Sequence, residues 1–220
     1  MQCTTANKYK ADGTEVYGDY MAERSALGFA YFSNYTQARQ LVQDQIITSI
    51  IGEKKERVQR TYWELRPLCT FMMGTPGSGK STEAARICDA LTVVIDADQF
   101  KEALPEFREF PRRIASGVVH HEAALLAAIM QRRVEPLGWD IIVDNACANL
   151  KWLETEIARL RDHFRLELVR TVLEKSQCRA RCQARGRHVP GFVIDQIYDQ
   201  VNTSFLKVHD SFSRVRVVHT

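Results

Sequence analysis

The sequence predicts an α/β protein built on a five-stranded parallel sheet flanked by helices, with a helical extension ahead of it. Three observations lead there. After Pro67 short apolar runs alternate with longer helical stretches, the pattern of strands joined by crossover helices. Before Pro67 apolar residues recur at helical spacings instead. A chain of 220 residues with 45% apolar content is also long enough to bury a substantial core.

Met1 to Gly28 has weak periodicity and many polar residues, so a loop or loosely packed arm is expected there. From Tyr35 to Glu64 the residues Ala38, Leu41, Val42, Ile46, Ile47, Ile50, Ile51, Val58 and Trp63 recur at spacings of three, four and seven. That predicts one or two amphipathic helices with a break near Gly52. Residues 1–66 thus form an arm and helical extension, and residues 67–220 the sheet domain. Within the latter, strands are expected at Leu68 to Met73, Thr92 to Ile95, Ile141 to Val143, Arg165 to Thr171 and Val215 to His219. The helices between them are Lys80 to Leu91, Ile114 to Leu137, Leu150 to Asp162, Glu174 to Ala184 and Val193 to Val208. Leu150, Leu153, Ile157 and Leu160 form one apolar stripe on the third of these.

Composition excludes several classes. The 30 Lys and Arg nearly balance 27 Asp and Glu, so the net charge of +3 does not mark a nucleic-acid or membrane-surface binder, and any basic site is local. No apolar run reaches the length of a signal peptide or a membrane span, which makes a cytoplasmic protein without membrane contact the expectation. Six scattered cysteines read as reduced thiols, not as a disulfide framework. Cys178, Cys182 and His188 lack the second ligand pair that a structural zinc site needs.

The segment Gly74-Thr75-Pro76-Gly77-Ser78-Gly79-Lys80-Ser81 fits G-x-x-x-x-G-K-[ST] and stands between a predicted strand and a predicted helix, with Thr82 next in line. Gly77 and Gly79 let the backbone curl so that successive N–H groups point at a phosphate chain. The helix start adds its positive dipole end. Lys80 supplies a mobile charge for the terminal phosphates, and the Ser81 hydroxyl a ligand for Mg2+. A nucleotide phosphate chain with Mg2+ is therefore expected, and the loop alone does not decide between a switch, a motor and a kinase.

Two carboxylates, Asp96 and Asp98, close the next strand, with Asp98 18 residues beyond Lys80. They belong at the carboxyl edge of the sheet, where ligands of such folds bind. Asp98 is the candidate base for an acceptor hydroxyl; Asp96 is either a helix cap or an acceptor contact. The apolar run Ile141-Ile142-Val143 ends in Asp144, which is placed to hold a Mg2+-bound water or to grip the acceptor. From Arg159 to Arg187 nine Arg and Lys face three Asp and Glu, and Arg179, Arg181, Arg185 and Arg187 cluster beside Gly186. This is the local basic site, suited to a lid that folds arginines over a migrating phosphoryl group.

At these residues the chain resembles the zeta-toxin family of P-loop kinases. The likeness runs through the phosphate loop, Ile95-Asp96-Ala97-Asp98-Gln99-Phe100-Lys101 with Leu104-Pro105, His121-Glu122-Ala123, the strand ending at Asp144, and Arg181 to Pro190. It implies a kinase-type P-loop sheet, ATP as donor and Asp98 as acceptor base. Arg187, with Arg181 or Arg185, matches the lid arginines, and Glu122 a carboxylate lining the acceptor cavity. The best-known members phosphorylate a sugar hydroxyl of UDP-N-acetylglucosamine and are held inactive by a small antitoxin, so a nucleotide-like small-molecule acceptor and an antitoxin partner are implied. Asp144-Asn145-Ala146 stands where Glu-Gly-Thr or Asp-Gly-Thr is common, and Leu104 where His is frequent. Both departures bear on acceptor choice. Polynucleotide and small-metabolite kinases share the loop, the strand-end Asp and the lid, and under that alternative the basic segment would meet nucleic acid. A non-catalytic nucleotide-binding module would not need Asp98, Asp144 and the arginines together.

Overall fold

The computed structural model describes residues 4–52, 66–184 and 189–220. The expected helix beyond Gly52, and Arg185, Gly186, Arg187 and His188 of the basic cluster, lie outside the described residues. In chain order the N-terminal segment forms helices α1 (Thr5–Lys8), α2 (Met21–Leu27) and α3 (Gln37–Gly52). Strand β1 (Leu68–Met73), helix α4 (Lys80–Ile87) and strand β2 (Thr92–Asp96) follow, then helices α5 (Ala97–Ala103), α6 (Glu106–Glu109) and α7 (Arg112–Val134). A 3-10 turn at Glu135–Leu137 leads to β3 (Asp140–Asp144), α8 (Leu150–Leu160), β4 (Arg165–Val172), α9 (Lys175–Ala184), α10 (Gly191–Val208) and β5 (Arg214–His219).

These elements divide into two compact units that interleave in sequence. One joins Met1–Arg57 to Asp96–Leu137, and the other joins Val58–Ile95 to Gly138–Thr220. The sequence suggested a single cut near Pro67; instead the segment between β2 and β3 groups with the N-terminal helices.

The sheet unit has strand order β2-β3-β1-β4-β5 and is all-parallel. Every strand boundary lies within one residue of its expected position. The reason is that strands covered on both faces read as continuous apolar runs. On one face Met72, Ile142 and Val169 pack with Ala84 of α4, and Ile87, Cys88, Val94 and Val218 extend that cluster. On the other, the Phe71 ring meets Trp152 of α8 at 6.4 Å and Phe212 at 5.7 Å between centroids. Helix α4 ends at Ile87, short of the expected Leu91, because Asp89 caps a turn: its Oδ1 accepts from Leu91 N at 2.9 Å and from Thr92 Oγ1 at 2.6 Å.

In the helical unit α7 is central and packs against α1, α2, α3, α5 and α6. Its Ala115, Val118, Val119, Ala123, Leu126, Ile129 and Met130 are buried, whereas Ser116, His120, His121 and Arg133 are exposed. The expected loose arm is corrected here for residues 4–28, Met1 to Cys3 lying outside the described residues. Thr4 caps α1 by accepting from Asn7 N, and Thr5 donates to the Val118 carbonyl at 3.3 Å. Arg24 of α2 is buried, with its guanidinium 2.6 Å from Asp44 of α3 and donating to the Gln40 carbonyl at 3.1 Å. The arm is ordered by polar contacts between distant residues, which leave no periodic trace in the sequence. Among the described residues no helix is long and apolar enough to cross a membrane.

Candidate active site

The sheet unit carries the candidate phosphate-binding loop at the carboxyl end of its central strand, β1. There the chain leaves the sheet at Gly74, whose N–H donates to the Ala146 carbonyl at 3.3 Å. Gly77 and Gly79 take left-handed backbone angles, φ 85° and 90°, and Gly79 opens α4. Thr75 and Ser78 are buried and Pro76 half-buried, whereas Ser81 and Thr82 are exposed on the first turn of α4. Lys80 folds back over the loop and donates to the carbonyls of Gly74 at 2.8 Å and Thr75 at 3.2 Å.

The loop is held in shape from below. Ser78 Oγ and Thr171 Oγ1, at the end of β4, share a hydrogen bond of 2.7 Å, and Thr220 Oγ1 donates to the Ser78 carbonyl at 2.9 Å. A Cβ on Gly77 would lie 2.6 Å from the Cys178 carbonyl oxygen in α9. Gly77→Ala therefore adds both a backbone clash and a strained φ, and it is expected to destabilise the protein by about 1–3 kcal/mol and weaken ATP binding. Thermal melting and titration with an ATP analogue check this; wild-type values for both would contradict the packing argument.

Asp144 sits at the end of β3 in register with Met72, beside the start of the loop. Between them lies Cys147, held at φ 55°, with its N–H donating to Asn145 Oδ1 at 2.9 Å and its Sγ donating to the Met72 carbonyl at 3.3 Å. Burial pushes the Cys147 thiol up to about 12, with Lys80 opposing and Asp144 reinforcing. A lysine, an exposed serine hydroxyl on a helix start and a half-buried carboxylate are a donor set suited to a polyphosphate with a hard divalent cation. The cavity lined by Thr70, Thr92, Asp140, Glu167 and Arg216 lies at the opposite, amino end of the strands, and at about 80 Å³ it is too small for a nucleotide.

Helix α9 brings the basic segment to the loop. Cys178 and Cys182 are buried beneath it, packed with Leu173 and Ile194, while Arg181 is exposed on the outer side. Burial and Cys182 raise the Cys178 thiol, and both Lys80 and Arg181 oppose that shift. Arg179 pairs with Asp195 of α10, its Nε donating to Oδ1 at 3.0 Å.

The other expected residues belong to the helical unit. Asp96 caps α5, its Oδ1 accepting from Asp98 N at 2.8 Å. Asp98 pairs with Lys101 one turn on, at 2.9 Å, and is about one-third exposed. The pKa of the His120 ring on α7 is lowered by loss of solvation and by the Lys101 and His121 charges, with Asp98 opposing.

Glu122, expected on the wall of an acceptor cavity, is instead fully buried. Its carboxylate accepts from Arg39 at 2.7 and 3.0 Å and from Gln43 Nε2 at 2.8 Å. With both oxygens engaged it is an internal counter-charge. The same guanidinium reaches Glu106 at 2.7 Å and covers the Tyr9 ring at 4.2 Å, while the Tyr9 hydroxyl donates to Glu106 at 2.7 Å. Burial works against the Arg39 charge, but Glu122 and Glu106 outweigh it and hold the guanidinium protonated. Burial likewise opposes the Glu106 charge, yet Arg39 and Tyr9 keep that carboxyl below its usual range. Removing Arg39 alone would strand two buried carboxylates, a loss of about 3–5 kcal/mol. Sequence reasoning missed Arg39 and Gln43. Their only local signal is a polar pair four residues apart on a helix whose neighbours Ile47 and Ile50 are core.

A family model described as Zeta toxin matches residues 52–220. No curated protein sequence matches the chain. Among solved structures the chain is similar to one from the PezAT chromosomal toxin–antitoxin system of the human pathogen Streptococcus pneumoniae. That likeness has 13% identity and a TM-score of 0.67, covering 84% of this chain and 79% of that one. It is also similar to AvrRxo1-ORF1:AvrRxo1-ORF2 with sulphate ions and to AvrRxo1-ORF1:-ORF2 with ATP. Both have 16% identity and a TM-score of 0.74, covering 100% of this chain and 74% of theirs. At these identities the likeness concerns the fold, a kinase-type P-loop sheet flanked by helices.

Proposed function

The chain belongs to the zeta-toxin family, and on that premise we propose that it is an ATP-dependent phosphotransferase. It moves the γ-phosphate of ATP to a hydroxyl of a nucleotide-sugar or other nucleotide-like small molecule, and it acts as a toxin restrained by a small antitoxin protein. The observation that carries this reading is the cradle at the end of β1, with its two left-handed glycines and Lys80 at a helix start. The ATP in one similar structure and the toxin–antitoxin system named for another support the donor and the partner.

In this reading Gly74 to Thr82 bind the phosphates, and Lys80 neutralises charge that builds on the moving group. Arg181, with Arg185 and Arg187, does the same from the lid. Ser81 and Asp144 would hold Mg2+, which would supply positive charge to offset that of the phosphates. Asp98 takes the proton of the acceptor hydroxyl, and Lys101 orients it. Asp96 caps α5 by accepting from Asp98 N and so holds the start of the helix that carries Asp98. The burial of Glu122 argues that the acceptor is read by other groups than in family members that use a carboxylate there.

Incubation with γ-labelled ATP, Mg2+ and a panel of nucleotide sugars, dinucleotides, nucleosides and 5′-hydroxyl oligonucleotides tests the proposal. A labelled small molecule is the expected result. Label on the oligonucleotides alone would favour a polynucleotide kinase, and ATP binding without transfer to any acceptor would leave only a binding module.

A further inference from the structure

The family match begins at residue 52, yet the unit that carries Asp98 is assembled on residues before it. Tyr9, Arg39 and Gln43 lie outside the match, and their partners Glu106 and Glu122 lie inside. We infer that Arg39 is a positioning residue for Asp98, and that the N-terminal segment is a working part of the acceptor-side unit. The inference rests on the kinase reading for the role of Asp98, but its geometry does not.

Helix α5 has seven residues, too few to persist without tertiary support. Only Leu104 and Pro105 separate it from α6, which opens at Glu106. Phe100 and Leu104 anchor the pair apolarly, but apolar contacts are not directional. The Arg39 guanidinium supplies direction: its planar fork holds Glu106 of α6 and Glu122 of α7 at once, at 2.7 Å each. It thereby sets where α6, and with it α5 and Asp98, lies along α7. A lysine has the charge but not the fork. A base must sit within hydrogen-bond reach of the hydroxyl it serves, and a displacement of about 1 Å costs about a hundredfold in rate.

The test uses the full chain. Arg39→Met combined with Glu106→Gln and Glu122→Gln removes the fork without leaving a buried charge, and Tyr9→Phe removes one bond to Glu106 as a milder second variant. Three quantities are measured: melting temperature, affinity for a fluorescent ATP analogue, and turnover of the labelled acceptor. Hydrogen exchange is followed at residues 97–110, with β1 as the internal reference. The expected result for the triple variant is unchanged analogue affinity, faster exchange confined to 97–110, and kcat lowered about a hundredfold. Tyr9→Phe should move exchange and kcat in the same direction by a smaller factor. A folded triple variant with wild-type exchange, or with faster exchange but wild-type kcat and acceptor KM, overturns the inference. Should the triple variant fail to fold, Tyr9→Phe decides by the same two readouts. If the wild-type protein transfers phosphate to no acceptor, the kinase reading fails and exchange alone decides. Faster exchange then upholds Arg39 as the anchor of the Asp98 helix, and unchanged exchange overturns it.

Discussion

Lys80→Ala is expected to abolish measurable phosphoryl transfer and to weaken ATP binding while leaving the sheet intact. The side chain is the mobile cation of the cradle, and it already lies over the loop, bonded to the carbonyls of Gly74 and Thr75. Those bonds are replaceable by solvent at about 1 kcal/mol each, so their loss alone does not unfold the protein. The charge is not replaceable. Facing a phosphate oxygen at about 4 Å, an ammonium contributes on the order of 4 kcal/mol at a surface-like dielectric, and more of it as charge migrates in the transition state. A fall in turnover of at least about a hundredfold follows. Calorimetric titration with ATP, the labelled-transfer assay and a melting curve check the result together. Undiminished transfer by a folded Lys80→Ala protein would remove the cradle from the mechanism.

Asp98→Asn should be nearly as damaging for a different reason. Asparagine keeps the shape and can still accept from a donor, but it cannot take a proton, so general-base assistance of about 10²–10⁴ is lost. ATP should still bind with Mg2+, because Asp98 belongs to the helical unit and the cradle to the sheet unit. Asp144→Asn makes the contrast. It lies beside the start of the loop, so it should shift the Mg2+ concentration needed for half-maximal rate, or raise the acceptor KM if it grips substrate. Both variants need titration with Mg2+ and with acceptor under the same conditions. Near wild-type turnover for Asp98→Asn, with loss at every concentration for Asp144→Asn, would move the base from α5 to the end of β3.

The parts of this protein that were legible in its sequence are those encoded over short stretches of chain. The phosphate loop is one: two glycines, a lysine and a serine within eight residues dictate a curled backbone and a helix start wherever they occur between a strand and a helix. The strands are another, since a parallel strand buried on both faces is an apolar run bounded by turn residues. The same logic placed α8, whose Leu153, Ile157 and Leu160 stripe is buried as its spacing predicts. It did not anticipate α5 or α6, because a seven-residue and a four-residue helix are too short for a periodic signal.

The sequence by itself determined the parallel α/β class and the strand-loop-helix at Gly74 to Ser81, and it singled out Asp98, Asp144 and the arginines from Arg179 onward as candidates. Tertiary structure alone decided which distant groups neutralise one another. Arg39 and Glu122 are separated by 83 positions and Arg39 and Glu106 by 67, and nothing in the spacing of either carboxylate says that a guanidinium will cover it. The N-terminal arm is similar: Arg24 and Asp44 order a segment whose own composition reads as loop. Even Gly77 owes part of its necessity to the Cys178 carbonyl of a helix about a hundred residues away. The physical reason is common to all of these. Helix and strand periodicity record which face of a segment meets the core, because burial is a property of each residue in turn. A buried ion pair or a close backbone approach is a property of two segments at once, and it exists only after the chain has brought them together.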